Sequence, residues 1–225
     1  MGISIFPIHM GLDTVYAVKG DGVIVIDGGD PHRLKNFKKG IAEASISPEE
    51  VRLILLTHGH WDHIGSAQDI KDLTGAKTLI HKRDMHFLED NKTSQPPGLT
   101  SWGKILIGLM KLASPFIKPP TFEVDIVVGD DDISLAEYGI PGKVIHTPGH
   151  SWGSVSVLLE GGEVFVGDLA MNTLPMRLSP GLPIFGDDIQ LVKESWRKLL
   201  AVGAKTVYPA HGKPFPADVM REAIA

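Results

Sequence analysis

Short apolar runs separated by turn residues open the chain. Ile3 to His9, Thr14 to Val18 and Gly22 to Asp27 are rich in β-branched residues, and the last closes in Gly28-Gly29, which predicts three antiparallel strands. Pro31 opens a helical pattern that runs to about Ala44, and Ser47-Pro48-Glu49-Glu50 supplies an N-cap with proline at the first helical position. The continuous apolar run Val51 to Leu56 predicts a strand buried on both faces, and it hands the chain to Thr57-His58-Gly59-His60. A helix from beyond Ile64 to about Leu73, a strand from Lys77 to His81 and a helix from Lys82 to about Glu89 continue the βα alternation of a layered structure. Pro96-Pro97-Gly98 breaks the pattern, and a helical stretch from Leu99 to Lys118 ends at Pro119-Pro120. Phe122 to Val166 reads as mostly β, with turns at Gly129-Asp130, Pro141-Gly142 and Gly161-Gly162. A loop from Asp168 to Gly186, an amphipathic helix from Asp187 to Val202, a strand from Thr206 to Tyr208 and a short helix from Ala217 to Ala225 complete the chain. The order of elements, β then α and twice over, predicts two sheets flanked by helices in the mixed α/β (α+β) class. Residues 1–225 read as a single domain with a helical insertion at about 99–120.

Composition narrows the possibilities. With 225 residues, 43% of them hydrophobic, the chain can bury a core of its own. The net charge is −5 and charges of both signs are interspersed, so the basic footprint of a nucleic-acid binder is missing. No cysteine is present, so any metal must be held by imidazole and carboxylate. The first ten residues read as a strand and not as a signal peptide, and the cytoplasm is the expected compartment. The most apolar stretch, Ile105 to Ile117, is interrupted by Lys111 and Pro115 and falls short of the roughly 20 residues a membrane span needs.

The local feature that carries chemistry is His58-Gly59-His60-Trp61-Asp62-His63, three imidazoles and a carboxylate directly after a buried strand. From composition alone such a string arises roughly once in a thousand chains of this kind. In a strand-to-loop turn His58 and His60 can project to one side, and Asp62 and His63 to the other as a helix begins, so two ions could sit side by side. Imidazoles mixed with a carboxylate suit borderline divalent ions such as Zn²⁺ or Fe²⁺ better than Mg²⁺ or Ca²⁺. Three further candidates occupy similar settings at strand ends: His150 in Thr147-Pro148-Gly149-His150, Asp168 after Val164-Phe165-Val166-Gly167, and His211 after Val207-Tyr208-Pro209-Ala210.

HxHxDH, then HTPGH, VGD and PAHG, together resemble the metallo-β-lactamase superfamily across essentially the whole chain. The resemblance implies a four-layer αββα sandwich and two divalent metal ions, zinc foremost with iron or manganese as alternatives. It implies His58, His60 and His150 on one ion, Asp62, His63 and His211 on the other, and Asp168 between them. Asp27, in Val25-Ile26-Asp27-Gly28, would orient the His58 to His63 loop by hydrogen bonding. The implied chemistry is attack by a metal-bridging hydroxide, with Asp62 orienting it and shuttling its proton.

Departures from particular branches narrow the substrate. The chain has neither the cysteine of some true β-lactamases nor their export signal, neither the extra domain nor the arm of the ribonuclease branches, and His60 stands where flavodiiron proteins carry glutamate. What remains is an ester, thioester or lactone hydrolase resembling glyoxalase II. The alternatives are a phosphodiesterase and an iron-dependent persulfide dioxygenase.

Other features read more plainly. His9, His32, His81, His86 and His146 lack a second partner at ligand spacing and are expected to be structural or surface residues. Asp130-Asp131-Asp132 lacks the spaced oxygens of a calcium loop and reads as a solvated turn. Trp102, Ile105, Leu106, Leu109, Leu112 and Ile117 recur at near-helical spacing. They predict either packing, against the domain or in a homodimer, or an apolar lid opposite the Met171 to Phe185 loop, with a small, partly apolar substrate beneath it.

Overall fold

The computed structural model describes residues 2–89, 95–113 and 121–224. The first sheet joins β1 (Ser4–His9), β2 (Thr14–Lys19), β3 (Val23–Ile26), β4 (Val51–Leu55), β5 (Lys77–His81) and β6 (Ile126–Val128) in that order. Its first three strands are antiparallel and the rest run parallel to β3, as the helical crossovers between them require. The second sheet takes β7 (Ile133–Ser134), β8 (Gly142–His146), β9 (Val155–Leu159), β10 (Glu163–Met171), β11 (Thr206–His211) and β12 (Phe215–Pro216), with only β10 and β11 parallel.

Alternation along the strands builds the layers. In β2 and β3, Tyr16, Val18, Ile24 and Ile26 point between the sheets, where they meet Val144, Val157, Leu159 and Phe165 of the second sheet. Val15, Ala17, Val23 and Val25 point the other way, onto α1 (Leu34–Glu43) through Phe37 and Ile41, and onto α3 (Ala67–Thr74) through Ile70. The outer face of the second sheet is covered by α6 (Ile189–Ala201), which buries Val192, Trp196 and Leu199, and by Met220 of α7 (Asp218–Ala223). This is the αββα sandwich. The remaining helices, α2 (Trp61–Ile64), α4 (His86–Glu89) and α5 (Ser101–Ala113), lie after β4 and after β5. Among the described residues no helix is long and apolar enough to cross a membrane.

Several elements depart from the expected bounds. The loop expected to start at Asp168 starts later, because β10 continues to Met171, which pairs with both His211 and Gly181. β11 extends through Pro209 to His211; the proline is accommodated opposite Gly167, where the β10–β11 register is irregular. The helix expected over Lys82 to Glu89 divides into a 3₁₀ turn, Lys82–Asp84, and α4. β4 is not buried throughout, since Arg52 is exposed. The helical stretch expected to reach Lys118 is described as far as Ala113, and its remainder lies outside the described residues.

Tyr16 crosses the sandwich: its hydroxyl donates to the Pro209 carbonyl at 2.8 Å from a buried position. Tyr16→Phe leaves that carbonyl without its donor and is expected to lower stability by about 1–2 kcal/mol in urea denaturation, with the cooperativity of unfolding unchanged.

Candidate metal centre

All seven candidate side chains converge at one end of the sandwich, where each is buried. β4 ends just before Thr57 and His58, and α2 begins at Trp61 with His60 as its N-terminal flanking residue. The turn from extended backbone into that helix divides the motif. His58 and His60 face His150, with one ligand atom from each lying within 4.8 Å of the others. Asp62 and His63 face His211 in a second group of the same compactness. Asp168 joins the two: its Oδ1 lies 3.3 Å from His63 Nε2 and 3.4 Å from His211 Nε2, while its Oδ2 lies 3.5 Å from His150 Nε2.

Hydrogen bonds behind the rings fix which nitrogen faces inward. His150 Nδ1 donates to the Phe185 carbonyl at 3.1 Å, and His211 Nδ1 donates to the Leu12 carbonyl at 3.1 Å. His63 Nδ1 meets Asp27 Oδ2 at 3.1 Å. His58 Nδ1 lies 3.1 Å from Thr57 Oγ1, and His60 alone turns its Nδ1 inward, 3.0 Å from His150 Nε2. The result is a set of buried, inward-facing polar atoms without a partner: His58 Nε2, His63 Nε2, His211 Nε2 and Asp168 Oδ1 all lack a hydrogen bond. Buried polar atoms are seldom left so, and these converge on one small volume. Nitrogen and carboxylate donors in that arrangement fit divalent cations.

The electrostatics split along the same line. Burial, reinforced by the neighbouring imidazoles, depresses His58 well below its ordinary value and His60 to about 3, and burial lowers His150 as well, so this trio is neutral. At His63 burial also opposes the charge, but Asp13, Asp168 and Asp27 outweigh it and raise the group well above its ordinary value. His211 is raised in the same way by Asp168, Asp62 and Asp13 against the cost of burial. Asp62 and Asp168 are lowered despite burial, Asp62 by His211 and His63, and Asp168 by His211, His63 and His150. The carboxylates thus demand positive charge at this spot, and protons on His63 and His211 meet that demand when no cation does.

Asp27 behaves as the sequence suggested. It sits at φ 68° after β3, and its carboxylate accepts from the Thr57 amide at 2.7 Å, from the Thr57 hydroxyl and from His63. Gly167 allows the second sheet to come close: its φ is +52°, and a Cβ there would stand 2.5 Å from Thr57 Oγ1.

A family model for the metallo-beta-lactamase superfamily matches residues 11–211. The chain belongs to that superfamily. A Mycobacterium leprae protein of uncharacterised function is 30% identical over 94% of this chain and 92% of its own length. A probable metallo-hydrolase of Bacillus subtilis, YqgX, is 24% identical over 93% of this chain and 88% of its own. Among solved structures, that of TTHA1623 in a di-iron-bound form superposes with a TM-score of 0.69 at 24% identity, covering 97% of this chain and 98% of that one. The superfamily is one of metal-dependent hydrolases, and the fold seen in this chain is the superfamily's fold.

Two aspartates at the superfamily site have no motif around them. Asp13, in the turn before β2, is fully buried with neither oxygen hydrogen-bonded, 3.6 Å from His63 Nδ1 and 3.8 Å from His211 Nδ1. It stands behind those rings, on the side away from the inward nitrogens, and burial raises its carboxyl well above the ordinary carboxylate range although His63 and His211 oppose the shift. Asp84 is buried after β5 and ties the two ligand-bearing loops together. Its Oδ2 accepts from the Gly59 amide at 3.0 Å and from Ser151 Oγ at 2.7 Å, and its Oδ1 accepts from the Gly153 amide at 2.9 Å. Neither carries a signal in the sequence: Asp13 stands between Leu12 and Thr14 at the start of a strand, and Asp84 in the polar run His81-Lys82-Arg83-Asp84.

His81 and His146, expected to be structural or surface residues without a partner at ligand spacing, take a structural place: they end β5 and β8 and stack across the sandwich, ring centroids 4.3 Å apart, with Asp130 beside them. The Arg83 amide donates to His81 Nδ1, which leaves the proton on Nε2, pointing at Asp130 Oδ1 3.1 Å away. Asp130 also holds Arg83 and Lys82, and His146 Nε2 donates to the Trp152 carbonyl, so the group is a satisfied polar clasp at the edge of the His150 loop. Only tertiary pairing could reveal it.

Asp84→Ala strands two buried amides and a hydroxyl without an acceptor. It is expected to cost about 3 kcal/mol in urea denaturation, where a surface carboxylate such as Glu43 costs under about 0.5 kcal/mol.

Proposed function

We propose that this chain hydrolyses an ester, thioester or lactone at a pair of divalent cations, zinc foremost and iron or manganese as alternatives. In this reading His58, His60 and His150 hold the first ion, Asp62, His63 and His211 the second, and Asp168 is shared. The observation that carries it is the division of the Asp168 carboxylate, with Oδ1 toward His63 and His211 and Oδ2 toward His150. When bound, such a pair of ions activates a water near neutral pH and polarises the carbonyl under attack. Asp62, held ionised by His211 and His63, orients that water and takes up its proton. The cleft over the site is walled by Leu12, Ile107, Met110, Met176 and Phe185, which exclude solvent and favour an uncharged acyl group over a phosphodiester. A mononuclear iron oxygenase would use the first cluster alone; the assembled second cluster has no part in that chemistry.

The test is metal quantification followed by turnover of ester, thioester, lactone and phosphodiester substrates. Two ions per chain with acyl-bond cleavage is the expected result, whereas one iron with oxygen consumption, or phosphodiester cleavage alone, contradicts it. Asp168→Ala is expected to lower both occupancies and to reduce kcat/KM by about a thousandfold or more, while His211→Ala empties mainly one site. Mass spectrometry of the metal content separates the two.

Proton competition sets the pH dependence. Since the carboxylates raise His63 and His211 above the ordinary 6.5, these imidazoles begin to take protons above that pH, and metal binding must weaken as pH falls. Zinc titrated against a competing chelator is expected to bind more than about tenfold more weakly at pH 6 than at pH 8, with the second ion released first.

A further inference from the structure

The cleft over the candidate ligands carries one side-chain amide, that of Gln95, in a wall otherwise built from Leu12, Ile107, Met110, Met176 and Phe185. Both ends of the amide are shut away from solvent, and neither Nε2 nor Oε1 has a hydrogen-bond partner. A glutamine offers one acceptor oxygen and two N–H donors, and leaving them unpaired inside a protein is costly and rare. Among the described residues every other buried side-chain atom in this condition belongs to an aspartate or a histidine. Protons or cations can satisfy those groups. A neutral amide with donor and acceptor both bare needs a hydrogen-bonding partner instead.

Neighbouring backbone, not the amide, anchors this residue. Just beyond it, the segment from Pro97 to Leu99 is laced to the loop after β10: the Gly186 amide donates to the Pro97 carbonyl at 3.0 Å, and the Leu99 amide to the Ile184 carbonyl at 2.8 Å. That loop also holds His150 Nδ1 through the Phe185 carbonyl, so Gln95 is tied to the ligand set by main-chain bonds and its side chain is spare. The cavity it lines measures about 30 Å³, little more than room for water, whereas sites for small organic ligands run to roughly 300 Å³ or more. A substrate must therefore part the wall. Met110 and Met176, unbranched and adaptable, are the side chains suited to give way, and their movement uncovers the amide as the substrate arrives.

We infer that Gln95 is a specificity-determining residue that reads a neutral carboxamide on the substrate. The inference rests on the acyl-hydrolase reading for the bond that is cleaved, and it adds a recognised group on the acyl part. A ketone or a carboxylate only accepts, which leaves Oε1 bare, and an ammonium only donates, which leaves Nε2 bare. A single hydroxyl serves one of the two atoms at good geometry. A carboxamide whose N–H and C=O lie side by side, as in a primary amide or a lactam, meets both at once. A site built in this way rejects the analogue without that group, because its own amide is then left unpaired.

The test is an NMR titration of the zinc-loaded full chain with two inert probes, valeramide and its methyl-ketone analogue, which keeps the carbonyl and loses the N–H. The wild type is expected to bind valeramide about tenfold or more tightly than the ketone. Gln95→Leu should erase that preference. It should also raise the melting temperature of the ligand-free protein by about 2 °C or more, since it removes an unpaired buried amide while keeping the side chain's bulk. A structural glutamine would do the opposite, so a lower melting temperature overturns the inference. Equal binding of the two probes by the wild type overturns it however the variant behaves, and so does a preference that survives in Gln95→Leu. Turnover of the ester, thioester and lactone panel, measured alongside, judges the other reading separately. Hydrolysis without probe preference defeats this inference alone, while preference without any hydrolysis defeats the acyl-hydrolase reading and leaves carboxamide recognition by Gln95 standing.

Discussion

Asp168 holds a carboxylate at the centre of five buried imidazoles, and burying so much polar surface is costly unless compensating charge comes to it. Ordinary interiors solve this with hydrogen bonds. Here the supporting bonds are spent on the outer nitrogens of four of the rings, through Asp27, Thr57 and the carbonyls of Leu12 and Phe185, while the inner polar atoms are left bare. The arrangement costs stability in the protein alone, and a bound cation would return it, the usual coupling of metal sites to folding.

The rest of the fold serves that convergence. The two sheets carry the ligands on separate strands, so the site exists only while the sheets stay in register, and contacts across the sandwich such as Tyr16 to Pro209 hold them there. Close approach at the rim depends on small features: Gly167 against Thr57, and Asp84 stitching the Gly59 turn to the Ser151–Gly153 turn. These groups touch no ligand lone pair, yet they decide where the imidazoles stand, and misplacement by an ångström is enough to cost catalysis.

Around this rigid floor, the walls are of another kind. Ile107, Met110, Met176 and Phe185 come from α5 and the loop after β10, outside the two sheets. In the proposed function their chemistry selects what reaches the candidate metal ligands, while the sheets set the arrangement of those ligands. The same two segments carry six of the exposed large hydrophobic side chains among the described residues.

The sequence by itself determined the elements and the chemistry. The strand periodicities of β1 to β5, the 3.6-residue pattern of α6 and the string from His58 to His63 are local, and local patterns can be read without coordinates. His150, Asp168 and His211 were legible as candidates because each follows an apolar run within a short motif, and the family resemblance joined them. Tertiary structure alone decided the rest. Asp13, Asp84 and the His81–His146 stack depend on contacts between residues far apart in the chain, with no period or spacing to mark them. The extension of β10 through Asp168 was likewise set by pairing with β11, a partner that the run of residues around Asp168 does not name. Local sequence fixes which groups a segment can offer; which of them meet, and which are left without a partner, is a property of the packed layers.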